Sequence, residues 1–313
     1  MGFLDRRGEG ENASGQERER EQLASLARVE QGGIPLSAER RLEELRSSSS
    51  ALFTSDLGVG DFALARLEGL RPLSQVMGSS IYKVGWQQMP WGGGWLSQGL
   101  SQELRVLSEA WNEARRRALA RLDEEARRAG ADAVVGVHIR RGRHDWAADA
   151  VEIVAVGTAV KVPGADPSAA PVLTDLSVED FWKLRRAGVA PLGVVAATSV
   201  FYITASWRTQ RLTSGWQRFQ PNQEIGDFTQ GVYNARESAL RHLTNQAEAL
   251  RAGGVVGVEI DQSTEIHRVE QNNNEREDLI VTFHVVGTAI APSGEHVRLA
   301  PTTVVSQGTR GSR

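Results

Sequence analysis

The sequence predicts an α+β protein made of two tandem copies of a two-layer βαββ domain, in which one long helix covers a three-stranded antiparallel sheet. Three observations support this fold class. A motif of similar sequence occurs twice, each occurrence is followed by an amphipathic helical stripe, and each stripe is followed by β-branched runs bounded by glycine. Helical periodicity that gives way to strand-like runs, repeated along the chain, is typical of a duplicated structural unit.

The repeat begins at Thr54 and again at Leu173, and each time a short predicted helix leads into a strand. The residues that recur are Asp56, Leu57, Val59, Asp61 and Phe62, which return 119 positions later as Asp175, Leu176, Val178, Asp180 and Phe181. In the second copy, Ser177 and Asp180 have the spacing of a helix capping box, and Gly188 stands where a helix would stop. The two copies are therefore predicted to share one topology.

The long helix of each copy is predicted from apolar residues at spacings of three and four. The first stripe consists of Leu104, Leu107, Trp111, Ala114, Ala118, Leu122 and Ala126, and the second, 121 positions later, of Ile225, Phe228, Val232, Ala235, Ala239, Leu243 and Ala247. The remaining faces carry charged residues, among them Arg115, Arg116 and Glu124, and we assign them to solvent. The stripe itself is predicted to face the sheet.

Two strands follow each helix, predicted at 130–139 and 151–162 in the first copy and at 251–260 and 279–291 in the second. Gly136 and Gly257 lie within the first strand of each pair, which indicates a bulge or a close backbone approach. The second copy has nine more residues between its strands, and we place them in a polar loop at 271–274. The motif residues shared by these segments are Gly130, Asp132, Gly136, Gly157, Thr158, Gly257, Gly287 and Thr288.

Four regions are predicted along the chain. Residues 1–53 form an extension that is disordered at 1–20 and helical at 17–29 and 37–46, residues 54–164 and 173–294 form the two domains, and residues 295–313 form a tail. A short linker rich in proline and alanine joins the domains. The charged helices at 17–46 bind a protein partner or form a solvated tail, and the sequence leaves both interpretations open.

Bulk composition excludes several classes of function. The formal net charge of −3 argues against nucleic acid and anionic membranes as partners. The chain has no cysteine, which excludes disulfides and thiolate metal sites and fits a cytoplasmic location. No apolar run approaches the roughly 20 residues that a membrane helix needs. The first residues carry charges without the apolar core of a signal peptide.

The two copies resemble the YbjQ-like family of small bacterial proteins, which carries a heavy-metal-binding label. The resemblance rests on a helix that runs into Arg-Ala-Gly-Ala-Asp-Ala-Val-Val-Gly-Val at 128–137, followed by Val-Gly-Thr-Ala-Val-Lys at 156–161. It is strong over 54–164 and weaker over 173–294, where Gly-Ala-Asp is missing. The family's domain is similar to the dodecin subunit, and its single-domain members form homopentamers. The resemblance implies that fold and a ring, and no catalytic residues.

Few residues suggest chemistry. None of the six histidines forms an HxH, HxxxH or HExxH pattern, and no G-x-S-x-G occurs. The glycine-rich segment at 90–95 lacks the lysine of a phosphate-binding loop. The nearest approach to a metal site is on the hairpin strands, where Glu259 and His284 are predicted to share one sheet face and His138 takes the place of Glu259 in the first copy. A carboxylate and an imidazole on one sheet face suit a hard or borderline cation. These three are weak candidates unless symmetry supplies more ligands, and no cofactor is otherwise implied.

The sequence therefore predicts a protein without enzymatic activity that forms homo-oligomers and acts as a binding or scaffold protein for an unidentified ligand. Two alternatives stay open, a metal-ion-binding protein with sites at subunit interfaces and an enzyme with an intersubunit site. Because a three-stranded sheet leaves open edges, we expect self-assembly. Ten domains from five chains either stack as two five-domain rings or alternate in one larger ring. Because a five-domain ring cannot alternate two kinds of domain, we expect two stacked rings, one of first copies and one of second copies.

Overall fold

The computed structural model describes residues 5–47, 52–86, 100–144, 147–166, 169–213, 222–271 and 274–293. The predicted tail at 295–313 and the glycine-rich segment at 90–95 lie outside these residues. The elements are α1 (Asp5–Glu30), α2 (Leu36–Ser47), α3 (Val59–Leu67), β1 (Arg71–Lys83), β2 (Ser101–Glu103), α4 (Arg105–Arg128), β3 (Ala133–His144), β4 (Ala147–Lys161), β5 (Val172–Leu173), α5 (Val178–Arg186), β6 (Val189–Ile203), α6 (Trp207–Thr213), α7 (Gly226–Ala249), β7 (Gly254–Gln271) and β8 (Asn274–Pro292).

The protein is a mixed α+β structure in which the repeat of the sequence is a repeat of structure. In each copy a short helix precedes a strand, a long helix and an antiparallel hairpin. The strands of the first copy lie in the order β1-β4-β3, and those of the second in the equivalent order β6-β8-β7. The side chain of Ser177 accepts a hydrogen bond from the backbone of Asp180, so the predicted cap of α5 is present.

Each sheet has four strands, and the prediction of three is wrong. The fourth strand comes from the other copy in both cases. β5, which precedes the second domain, pairs in parallel with β3 of the first domain. β2, which precedes α4 of the first domain, pairs antiparallel with β6 of the second. A strand edge carries unpaired backbone groups, and a neighbouring domain satisfies them here. The periodicity of one copy contains no information about such an exchange.

The predicted stripes form the core. The small residues Ala114 and Ala118 of α4 and Ala235 and Ala239 of α7 are fully buried, so each long helix lies close to its own sheet. α4 also contacts the second domain, because Val200 and Tyr202 of β6 belong to the same hydrophobic cluster as Trp111. The first long helix is therefore covered on two sides, whereas α7 packs against β6 and β8.

The nine extra residues of the second copy lengthen the hairpin strands, and the prediction that they lie in a loop is wrong, although the two strands do meet at the predicted segment 271–274. The β7–β8 ladder continues through Ile266↔Leu279 to Gln271↔Asn274, so the residues on either side of the turn are paired strands. The first hairpin ends at His144↔Ala147. The described added residues pair with each other across the hairpin, which satisfies their backbone groups.

The N-terminal extension is helical over more of its length than predicted. α1 begins at Asp5, within the region expected to be disordered. α2 packs on α4, with Ile34 and Leu42 buried and Arg41 paired to Glu125 at 2.8 Å. Among the described residues, none of the helices is both long and apolar enough to cross a membrane.

Candidate functional site

A cavity of about 470 Å³ lies between the two domains and is the candidate functional site. The first domain contributes α4 and β3 to its wall, and the second contributes β6, β7, β8 and the segment that leads into α5. All three residues proposed from the sequence as metal ligands line it, namely His138, Glu259 and His284. Arg115, Arg141, Asp175 and Asp261 add four further ionisable groups. The cavity forms where the two copies of the repeat, which follow one another along the sequence, pack against each other.

The strand register explains how the predicted candidates meet. His284 of β8 lies opposite Asp261 of β7, and Glu259 lies two residues before Asp261 on the same face of the strand. His138 reaches the cavity from the other domain, where its Nδ1 lies 3.1 Å from a carboxylate oxygen of Asp56. The candidates therefore share one cavity and come from two different sheets.

These side chains do not form a metal site within one chain. No three histidine, aspartate or glutamate side chains in the described parts of the chain lie close enough together to hold a metal ion. The Nδ1 of His284 is hydrogen-bonded to the Thr198 hydroxyl at 2.8 Å, and its ring stands edge-on to Trp111 with the centroids 5.1 Å apart. The chain also lacks the cysteine thiolates that soft heavy metals prefer. The described residues of a single chain therefore supply too few ligands to hold a metal ion.

Arg115 is a functional candidate that sequence reasoning missed. Assigned to the solvent face of α4, it is instead buried, because the second domain covers that side of the helix. Its guanidinium donates to the Thr198 hydroxyl at 2.7 Å and also to the Asn112 side chain. Burial, and then the positive charge of Arg141, lower the pKa of Arg115 to about 9. Arg115 thus remains positively charged at neutral pH, beside the cavity and within a low-dielectric environment.

Two of the three carboxylates that line the cavity, Asp175 and Asp261, have partners other than Arg115. Asp261 forms an ion pair with Arg141. Asp175 accepts a hydrogen bond from the Thr288 hydroxyl, and burial raises the pKa of its carboxyl. None of the salt bridges found in the described part of the chain joins a carboxylate to Arg115. Arg115 thus has polar but neutral hydrogen-bond partners, and the nearby carboxylates of Asp175 and Asp261 are bonded to other residues.

Comparison with known proteins places the chain in a family. The model of the YbjQ family, described as "Putative heavy-metal-binding", matches residues 94–163 and again residues 203–292. The chain belongs to the YbjQ family. It carries two YbjQ-like regions in tandem, one in each structural copy.

The chain is also similar to a named protein. The encapsulin nanocompartment protein Rv1762c of Mycobacterium tuberculosis strain H37Rv is 34% identical over 279 residues, which cover 87% of this chain and 96% of that protein. No solved structure matches the chain. Neither name denotes an enzyme.

The family motif residues have structural roles in both YbjQ-like regions. Gly136 and Gly257 adopt left-handed backbone conformations, with φ of 64° and 65°, at bulges in β3 and β7. The hydroxyls of Thr158 and Thr288 accept hydrogen bonds from the backbone of Asp56 and Asp175 respectively. These threonines therefore fix the segment that leads into each domain against its own sheet.

The other motif residues shape turns and close contacts. Gly130 has φ of 72° at the end of α4, and Asp132 accepts hydrogen bonds from the Lys161 ammonium at 2.7 Å and the Val162 backbone at 2.8 Å. A Cβ at Gly157 or Gly287 would lie within 3.0 Å of a valine side chain in the neighbouring strand. A larger residue at either position would force the strands apart.

Proposed function

We propose that this YbjQ-family protein is a self-assembling scaffold component that performs no catalysis, and that its subunits belong to a protein nanocompartment of the kind named for its relative. The observation that carries the proposal is the exchange of strands between the two domains. Each domain completes the open sheet edge of the other. Contacts of this kind bind through the backbone and build assemblies without any chemistry at the contact.

The name of the M. tuberculosis relative supports this proposal, since it describes a protein of an encapsulin nanocompartment and the similarity covers most of both chains. The hypothesis that residues 17–46 recruit a protein partner stays a prediction. So do the metal site at a subunit interface, the intersubunit enzyme site and the cytoplasmic location.

The native mass of the purified full-length protein tests the scaffold function. We expect a stable particle whose mass is a whole-number multiple of 34.1 kDa, measured by native mass spectrometry and light scattering across a hundredfold dilution series. Five chains is the number that the resemblance to the family implies. A monomer that persists at the highest concentration would rule out the scaffold proposal.

A second function is favoured by the cavity, namely binding of a small anionic ligand beside Arg115. A buried guanidinium binds carboxylate or phosphate groups with paired hydrogen bonds, and the surrounding low dielectric strengthens the interaction. The cavity volume of about 470 Å³ falls in the range of small-molecule sites. The positive charge of Arg115 would therefore make the cavity selective for a negatively charged ligand.

Inorganic phosphate tests the anion site. We expect millimolar phosphate at constant ionic strength to raise the thermal unfolding midpoint of the wild-type protein by roughly 2–4 °C, as ligand binding to the folded state does. Arg115→Met should abolish this increase. Arg116→Met removes an exposed arginine one position away and serves as the control, which should respond like wild type. An equal response in all three proteins would show a general salt effect and contradict the site.

A further inference from the structure

We infer that a second copy of the chain docks through the same interface that joins the two domains, so that the second domain of one copy meets the first domain of the next. This inference rests on the proposed self-assembly and specifies its contact surfaces. Each element of the internal interface has an equivalent in the other copy of the repeat. In the described part of the chain, that equivalent does not make the same contact.

The first half of the internal interface is the segment before the second domain, which lies along β3. Thr174 donates its backbone N–H to the carbonyl of Val134 at 2.9 Å and accepts from Val137 at 2.9 Å. Gly136 donates to the carbonyl of Leu176 at 2.8 Å. The bulge at Gly136 is therefore part of the docking surface, because it turns these backbone groups toward the incoming segment.

The second half is β2 and the start of α4, which lie along β6. The backbone N–H of Leu104 donates to the carbonyl of Val200 at 2.8 Å, and the Ser108 hydroxyl accepts from the Val200 backbone at 2.9 Å. Asn112 binds both backbone groups of Thr198, each at 2.9 Å. Beyond the end of β2, side chains of α4 therefore bind the backbone groups of β6 that a neighbouring strand would otherwise bind.

β7 is the equivalent of β3, and among the described strands it forms an open sheet edge. It ends its sheet, whereas β3 is followed by β5. Val137 of β3 is 3% exposed, but its equivalent Val258 of β7 is 41% exposed. The bulge is kept at Gly257, and Ile260 beyond it is exposed as well. β7 therefore presents the surface that β3 uses to bind β5.

The segment that fits β7 is present at the start of the first domain. Residues 53–57 are equivalent to residues 172–176, and both contain an Asp-Leu pair whose aspartate backbone is held by a motif threonine. Leu52 and Phe53 are exposed large hydrophobic residues. Within one chain this segment has no β3-type edge beside it, because the described β3 edge is already paired with β5.

β1 is the equivalent of β6, and its far half is open. Val200 of β6 is fully buried under α4, while its equivalent Ile81 of β1 is 55% exposed. The N-terminal helices reach the near half of β1, where Arg41 contacts the carbonyl of Gln75. Arg121 of α4 donates to the carbonyl of Ser79, and beyond it no described strand pairs with the edge at Ile81, which an incoming helix could cover.

The face of α7 that would dock on β1 keeps the hydroxyl and the arginine of the α4 face and replaces the amide of Asn112 by a tyrosine. Thr229 stands at the position of Ser108 and conserves the hydroxyl that binds the strand backbone. Arg236 stands at the position of Arg115, and Tyr233 at that of Asn112, with its ring exposed. Residues 222–224 precede α7 as β2 precedes α4, and they are exposed.

The two open surfaces of one chain complement each other, and they belong to different domains. A contact of this kind is head-to-tail, so it closes into a ring or continues as a filament. Domains alternate along such an assembly, and a closed ring contains an even number of them. This arrangement differs from the stacked rings expected from the sequence, in which like domains would be neighbours.

Disulfide trapping tests the interface, since the chain has no cysteine of its own. Leu173 and Val134 are directly paired across the internal interface, and their repeat-equivalents are Thr54 and Val255. We expect Thr54→Cys mixed with Val255→Cys, both in the full-length protein, to give under oxidation a dimer band at about twice 34.1 kDa on a non-reducing gel. Most of the variant that is present in the smaller amount should appear in the disulfide-linked dimer, because the Cα atoms of paired residues lie close enough for a disulfide.

Two controls define the result. Leu173→Cys with Val134→Cys in one chain should form the same bond internally, which checks that the oxidant reaches this geometry. Thr54→Cys mixed with Ile266→Cys, whose cysteine lies farther along β7, should give less than about a tenth of the dimer. A native oligomer without the Thr54–Val255 dimer would overturn this interface and leave the scaffold function standing. A persistent monomer would overturn both.

A charge placed on the open edge gives an independent readout. Ile81→Asp should reduce the native particle to smaller species, because a carboxylate would be buried under α7 without a partner. Ile266→Asp, at an equally exposed residue outside the contact, should leave the mass unchanged. Both variants change exposed side chains, so circular dichroism should show that each domain stays folded. An unchanged mass for Ile81→Asp would contradict the interface.

Discussion

Gly78→Ala is expected to destabilise the first domain by at least about 3 kcal/mol, at the upper end of the usual cost of overpacking a core. A Cβ at this position would lie 1.9 Å from the carbonyl oxygen of Ala118 and 2.6 Å from the backbone nitrogen of Leu122. Both are backbone atoms of α4, so no side-chain rotation relieves the contact. The helix has to move away from β1 as a whole, and the buried contacts along its stripe weaken with it.

Chemical denaturation, followed by circular dichroism, measures this effect as a lower midpoint for the first domain. Gly60→Ala is the matched control, because that glycine lies in α3 with open space where a Cβ would be. It should be neutral or stabilise by up to about 1 kcal/mol, as alanine does relative to glycine in a helix. If Gly78→Ala were as stable as Gly60→Ala, the close approach of α4 to β1 would be wrong. The second copy has Ala197 at the equivalent position, fully buried.

Asp278→Ala is expected to destabilise the second domain by about 3–5 kcal/mol, the usual cost of removing one partner of a buried ion pair. Asp278 is fully buried and accepts hydrogen bonds from Arg276 at 2.8 Å, the Tyr202 hydroxyl at 2.6 Å and the Ala205 backbone at 2.8 Å. Burial raises the pKa of Tyr202, so its hydroxyl remains a donor at every physiological pH. The substitution removes the acceptor that these three donors share.

Thermal and urea unfolding of three variants separate charge from packing. Asp278→Asn keeps one acceptor oxygen and loses the charge, so it should lie between wild type and Asp278→Ala. Glu277→Ala, on the adjacent residue, breaks only the exposed pair with Arg268 and should cost less than about 1 kcal/mol. A cost for Asp278→Ala as small as that of Glu277→Ala would mean that the cluster contributes nothing to stability.

The amino-acid sequence by itself determined the repeat and the elements within each copy. A helical stripe such as Leu104–Ala126 records which face is buried, because each residue of a helix has a fixed direction. The glycines at 136 and 257 recorded a bulge, since a left-handed backbone conformation favours glycine. These features depend on neighbours within one element, and so the order of side chains along the chain is sufficient to predict them.

The exchange between the domains was decided by tertiary structure alone. The fourth strand of each sheet is held by backbone hydrogen bonds. Because almost every residue has the same backbone donor and acceptor, no residue pattern predicts this pairing. Arg115 was assigned to solvent because it lies outside the apolar stripe of α4, yet the second domain covers it. Similarly, the cavity is lined by residues of one sheet that lie between positions 136 and 141 and by residues of the other sheet that lie between positions 196 and 286. The pairing of a sheet edge with a particular segment depends on the shape of the domains and on backbone hydrogen bonds in three dimensions. The sequence pattern predicts neither.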